Sequence, residues 1–222
     1  MDKRVVLAIF ICISLGLPIF AQRKKLGGGK VLGSKIAQPS KAEVAGKLED
    51  ADEYKVYSSI ILSIFGDGKE QSLVVRRLSQ NSTVRDFSDK YTRLALKADF
   101  PKLDYKTLDD FVGKNAKSYE LSPPNFTTDS KIILVTDIDN VTAGATTCEA
   151  SWRKFYRVYP TAKGYIIFTR AGFNPEKTQA FVYADYWSNC KKGEGQFYFL
   201  QKDGGTWKVT DTQTRWTNNI SM

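Results

Sequence analysis

Gln179-Ala180-Phe181-Val182-Tyr183-Ala184-Asp185-Tyr186-Trp187 is followed, across a breaker segment from Lys191 to Gly195, by Gly195-Gln196-Phe197-Tyr198-Phe199-Leu200-Gln201-Lys202, and then, across Asp203-Gly204-Gly205, by the run from Thr206 to Arg215. Each run is rich in the aromatic and β-branched residues that suit a pleated surface. Asp203-Gly204-Gly205 is a hairpin signal, because Asp and Gly tolerate the positive φ values that a tight connection between twisted strands demands. One step upstream, Tyr165 to Arg170 forms another such run, ended by Gly172-Phe173-Asn174-Pro175. The stretch from Gly164 to Trp216 thus reads as four strands of one antiparallel sheet.

Outward from this sheet the pattern changes to helical. Ala42 to Phe65 reads as a helix with Tyr54, Tyr57, Ile61 and Ile64 on one face, ended by Gly66-Asp67-Gly68. Ser72 to Leu78 is a short strand. Thr83-Val84-Arg85-Asp86 has the form of a helix cap, opening a helix whose buried face is Phe87, Tyr91, Leu94 and Ala98. A similar cap at Thr107 with Asp110 opens a short helix through Phe111 and Val112, with Pro123-Pro124 beyond it. Lys131 to Ile138 is a strand, and Asn140 to Thr147 a loop of small polar residues. Helices early and hairpin strands late predict an α+β domain, with N-terminal helices packed on one face of a C-terminal antiparallel sheet. By analogy of layout alone, a cone-like or cystatin-like roll is one form this takes.

The first 41 residues stand apart. Lys3 and Arg4, an apolar run from Val5 to Leu17, Pro18 and a short segment ending at Ala21 have the layout of a secretory signal peptide spanning residues 1–21. The apolar run is shorter than the about 20 residues of a membrane span. The reading is therefore a chain exported to the periplasm or the exterior, with no transmembrane segment after processing. Residues 22–41 alternate glycine and serine with lysine and arginine, a composition that buries no core and predicts a basic flexible linker. Of the net charge of +9, this linker carries the larger part and no acid, so the residues from 42 to 222, one domain's worth, are close to neutral. Contact with an anionic envelope polymer or lipid is accordingly confined to Arg23, Lys24, Lys25 and Lys30, with a solvated, non-binding tail as the plainer alternative; nothing specifies a nucleic acid.

Cys148 and Cys190 are the only cysteines beyond the apolar N-terminal run, and an even count in an exported chain favours a disulfide. The chain has no histidine, which removes the commonest general base and the commonest transition-metal ligand. Serine–histidine and cysteine–histidine schemes are excluded. Asp137-Ile138-Asp139-Asn140 offers oxygen ligands but lacks the further acids and the glycine of a calcium loop. Gly27-Gly28-Gly29-Lys30 lacks the spacing, strand and hydroxyl of a phosphate loop. No cofactor or metal site is predicted.

Trp152, Phe155, Tyr156 and Tyr159 recur at helical spacing before Pro160, so Ser151 to Tyr159 reads as a short helix with an aromatic face and Arg153, Lys154 and Arg157 pointing away. That face is core, or a platform on which bases or sugar rings stack. Tyr183, Tyr186 and Trp187 suit the rim of a ligand cleft or buried hydroxyls with partners. A period of two sets Arg170 beside Ile166 and Phe168 on the side expected to meet the helices, where a cation needs an acid; Asp185 and Glu149 are the first candidates. A ligand-anchoring Arg170 is the alternative.

Thr169-Arg170-Ala171-Gly172-Phe173-Asn174, Thr178-Gln179-Ala180-Phe181-Val182-Tyr183, Gly193-Glu194-Gly195-Gln196-Phe197-Tyr198-Phe199-Leu200 and Gly205-Thr206-Trp207-Lys208-Val209 together resemble the C-terminal signature of a widespread group of secreted bacterial proteins of uncharacterised activity. Trp152 to Pro160 fits the same group, and Glu53-Tyr54-Lys55-Val56-Tyr57-Ser58 fits more loosely. The resemblance implies bacterial origin, export and a single domain; it lends no catalytic residues. Two functions follow from the whole sequence. The first is a non-catalytic envelope domain that binds a ligand or partner, with Arg170, Tyr183, Asp185, Tyr186, Trp187 and Glu149 as candidate contacts. The second is a carboxylate-dependent hydrolase or isomerase of cone-like fold using Asp185 and Glu149 as acid and base.

Overall fold

The computed structural model describes residues 44–66, 68, 70–80, 89–136 and 138–218. The signal peptide, the basic linker with Arg23, Lys24, Lys25 and Lys30, and the Thr83 to Asp86 cap lie outside the described residues. In chain order the elements are β1 (Val44–Lys47), α1 (Ala51–Phe65), β2 (Ser72–Arg76), α2 (Lys90–Asp99), α3 (Tyr105–Lys114), β3 (Ser118–Glu120), β4 (Lys131–Val135), α4 (Ile138–Thr142), α5 (Cys148–Val158), β5 (Ala162–Phe168), β6 (Gly172–Phe173), β7 (Gln179–Trp187), β8 (Gly193–Asp203) and β9 (Thr206–Thr217).

The fold is α+β, built on a seven-stranded sheet in the order β4-β2-β5-β7-β8-β9, with β6 also paired to β7. The four C-terminal strands pair antiparallel as their turns require. Gly204 and Gly205, both at positive φ, make the hairpin between β8 and β9. The sheet is nevertheless mixed, because β2 adds parallel to β5 and β4 parallel to β2. These two strands come from the first half of the chain, so the sheet is not solely C-terminal.

Alternation along the strands shows where the helices go. Ala180, Val182 and Ala184 of β7, with Ile166 and Phe168 of β5, pack against Tyr54, Tyr57, Ile60 and Ile61 of α1. Phe181 and Tyr183, one residue out of step, face Leu96, Phe100, Leu108 and Phe111 from α2, α3 and their connection. Tyr165 and Ile167 pack on Phe155 of α5. Helices therefore cover both faces rather than one. The physical reason is in β7, whose residues from Ala180 to Tyr186 are buried on both sides of the pleat.

Several local expectations are corrected. The helix begins at Ala51, not Ala42: Asp50 accepts a hydrogen bond from the Asp52 N–H, and Val44–Lys47 is a strand parallel to β3 in a separate small sheet. Gly46, at φ 144°, has a backbone no helix contains. In α2 the cap is Asp89, and Tyr91, Leu94 and Ala98 are exposed while Leu96 and Phe100 are buried. This helix is polar enough for the period to be laid on either face. The cap of α3 is Asp104; Thr107 lies inside the helix, buried. The strand from Lys131 stops at Val135, and Ile138 instead opens α4.

Candidate functional site

The residues singled out in the sequence fall into three places. The first is the buried end of α1. Arg170 lies just beyond the end of β5 and is 8% exposed. It turns toward α1, as its place beside Ile166 and Phe168 implies, but its acid is neither Asp185 nor Glu149. It is Glu53, fully buried, which accepts from Arg170 Nε at 3.1 and 3.2 Å and from Nη2. Tyr57 Oη donates to Glu53 at 3.0 Å, the Ala171 N–H at 3.2 Å, and Lys114 Nζ stands 3.8 Å away. The guanidinium lies over the Tyr119 ring, 4.1 Å from its centre. Burial works against the Arg170 charge, but the Glu53 carboxylate outweighs it and holds the pKa above its usual value. The two charges answer each other within the chain, which is the arrangement of a structural ion pair. The signal for it was present: Glu53 shares the helical face of Tyr57 and Ile60.

The second place is a polar row on the opposite face of the sheet, between the cluster under α3 and the cluster under α5. Asp185 pairs across the sheet with Ile167 on one side and Gly195 on the other, and Gly195 with Trp216. Asp185 Oδ1 accepts from Tyr183 Oη at 2.6 Å and from Trp216 Nε1 at 3.0 Å. Gly195 makes this possible: a Cβ there would sit 2.1 Å from Tyr183 Oη and 2.5 Å from Asp185 Oδ1. Burial raises the Asp185 pKa, against hydrogen bonds from Tyr183, Trp216 and Gln80 and the nearby Arg76 charge, which oppose it. Burial, and then the Asp185 charge, likewise push the Tyr183 phenol up. Arg76 is 2% exposed and donates to the Leu78 and Ser79 carbonyls, while its Nη1 has no partner among the described residues. Tyr183 is thus a buried hydroxyl with partners, not a cleft rim.

Tyr186 belongs to the α1 face and donates to the Lys163 carbonyl at 3.3 Å. It too is buried. Trp187 is half-buried, its ring 5.4 Å from that of Trp216.

The third place is open. The aromatic segment is α5, capped by Thr147, whose Oγ1 accepts from the Ala150 N–H at 3.2 Å. Phe155 is buried against the sheet; Trp152 and Tyr156 are half-buried, with rings 5.7 Å apart and inclined by 33°. One face of α5 is therefore core, yet its edge also lines a hollow of about 600 Å³. Glu149, Trp152, Arg153, Tyr156 and Arg157 form one wall, and Asn189, Cys190 and Lys191 of the β7–β8 turn form the other. The walls are tied by the Cys148–Cys190 disulfide, with Cα atoms 5.7 Å apart, and by Tyr156 Oη donating to the Ser188 carbonyl at 2.7 Å. Glu149 is exposed here, in the first turn of α5, whereas Asp185 is buried in its own network.

A second hollow, of about 390 Å³, lies between α3 and the turn after Phe173. Of its three lysines, Lys114 and Lys177 are paired with Asp110, Asp50 and Asp52, and Lys106 shares the lining with Asp109 and Asp110. Among the described residues no group of three metal-ligating side chains converges, and no helix is long and apolar enough to cross a membrane.

No protein-family model, no curated protein and no solved structure matches this chain. The geometry of these three places therefore bears the functional argument alone.

Proposed function

We propose that this chain is an exported, non-catalytic domain of the secreted bacterial group it resembles, and that it binds a ligand in the hollow beside α5. The observation that carries the reading is the company kept by Trp152 and Tyr156, whose rings line a concave site with Arg153, Arg157 and Lys191 and with a covalent tie between the walls. A volume of about 600 Å³ is that of a small-molecule site. Rings and cations together suit an anion that carries an extended apolar face. The disulfide favours an oxidising compartment, periplasmic or extracellular.

The rival, a hydrolase or isomerase working through Asp185 and Glu149, needs both carboxyls about one substrate. Asp185 is 5% exposed and committed to Tyr183 and Trp216, while Glu149 is exposed in the first turn of α5. The binding reading is the better supported.

The test is a thermal-shift screen of residues 22–222 against ring-bearing anions, neutral sugars and nucleotides, repeated on an Arg153→Glu, Arg157→Glu variant. A ligand at 100 times its Kd stabilises by about 2.7 kcal/mol, or roughly 5–10 °C for a domain of this size. The expected hit loses its effect in the variant. A hit whose effect survives there moves the site elsewhere, and turnover of the hit that Asp185→Asn abolishes establishes the rival.

A further inference from the structure

From the cations of this hollow we infer its ligand class: an acidic oligosaccharide whose ring carboxylates meet Arg153, Arg157 and Lys191. This rests on the reading of the hollow as the binding site. Several basic residues elsewhere on the domain are answered by acids, as with Arg77 and Glu120, Lys114 and Asp110, Lys177 and Asp50, and Lys202 and Asp52. The side chains of Arg153, Arg157 and Lys191 have no carboxylate within ion-pairing reach among the described residues, although all three line one hollow. Arg153 and Arg157 are four residues apart on α5 and hence one turn apart on one side of it. Lys191 faces them from the β7–β8 turn. This spacing presents two guanidinium forks, each able to hold a carboxylate by two parallel hydrogen bonds, with a third charge across the gap.

The rest of the lining suits a sugar ring. Glu149 also lines the hollow, where its carboxylate accepts hydrogen bonds from sugar hydroxyl groups and leaves the ligand's own carboxylates to Arg153, Arg157 and Lys191. Tyr156 spends its hydroxyl hydrogen on the Ser188 carbonyl, leaving its ring beside that of Trp152 for the C–H face of a pyranose.

Titration calorimetry of residues 22–222 with a short oligogalacturonate, its methyl-esterified neutral form and a single-stranded oligonucleotide decides the matter. The acidic oligosaccharide is expected to bind, more weakly as salt rises, and at least about tenfold more weakly to Arg157→Glu. The neutral form is expected to bind at least about tenfold more weakly than the acidic one. Equal binding of the esterified form, or binding of the oligonucleotide alone, overturns the inference. If the oligogalacturonate fails while another ring-bearing anion binds and is lost in the Arg153→Glu, Arg157→Glu variant, the ligand class falls and the hollow stands as the site. If nothing binds in a manner sensitive to that variant, both fall. Both arginines are exposed, so an unliganded melting temperature equal to the wild type's certifies the fold of each variant.

Discussion

Replacing Glu53 by glutamine should damage this protein more than replacing Arg170 by methionine, although the two side chains are each other's principal partner. Glu53 is fully buried and is held by Arg170, the Tyr57 hydroxyl and the Ala171 N–H, with Lys114 Nζ at 3.8 Å. Glu53→Gln keeps the shape and leaves a guanidinium that cannot shed its charge, facing a neutral amide at 8% exposure. Stranding a buried charge costs about 3–5 kcal/mol, or a fall of roughly 6–20 °C in Tm. Arg170→Met leaves the carboxylate with the Tyr57 and Ala171 donors and the Lys114 charge, and a carboxylate can be neutralised by one proton; a loss of about half that size is expected. Glu53→Met combined with Arg170→Met removes both charges at once and should come within about 2 kcal/mol of the wild type. Urea unfolding of the four proteins at pH 7 measures all of this. If Arg170→Met is as harmful as Glu53→Gln, or the double variant loses the sum of the single losses, the ion pair is not what fixes this corner of the fold.

Two further outcomes are expected. Replacing Cys148 and Cys190 by serine opens a loop of sequence separation 42 and should cost about 4 kcal/mol in the chain-entropy model, and peptide mapping without reductant should recover the two cysteines linked. Asp185 has a pKa raised by burial, so the folded protein holds its proton more tightly than the unfolded chain does. The stability this contributes is complete below about pH 4 and is lost as pH climbs through the folded-state value. Asp185→Asn keeps an acceptor for Tyr183 and Trp216 without that loss, and should gain on the wild type between pH 4 and pH 7 in denaturant titrations; a variant that loses ground with rising pH contradicts the assigned cause.

The C-terminal strands were legible because aromatic runs and Gly-rich turns are local signals, and Asp203-Gly204-Gly205 needs no distant partner to be understood. The parallel additions of β2 and β4 were not. Ser72–Arg76 and Lys131–Val135 read as strands, but their neighbours lie across crossovers, and pairing of that kind leaves no mark in either run. Arg170 shows the same division. Its side of the sheet follows from a period of two, yet its partner lies 117 residues away on α1. Asp185 was a plausible partner only while the face it occupies was unknown; pairing opposite Ile167 puts it on the far side. For the hollow, the helix and its aromatic stripe were legible at Trp152 to Tyr159. Lys191 was not, because the disulfide and the β7–β8 turn bring it there from another part of the chain.

That disulfide also closes a covalent ring containing α5, β5, β6 and β7. A single peptide-bond cut anywhere inside the ring, including the turn from Asn174 to Thr178, leaves one connected molecule with its strands still paired to β2 and β8. A nicked copy would keep both walls of the hollow and migrate undivided until a reductant is added. Wherever proteases reach the chain, the bridge therefore separates the integrity of the chain from the integrity of the site.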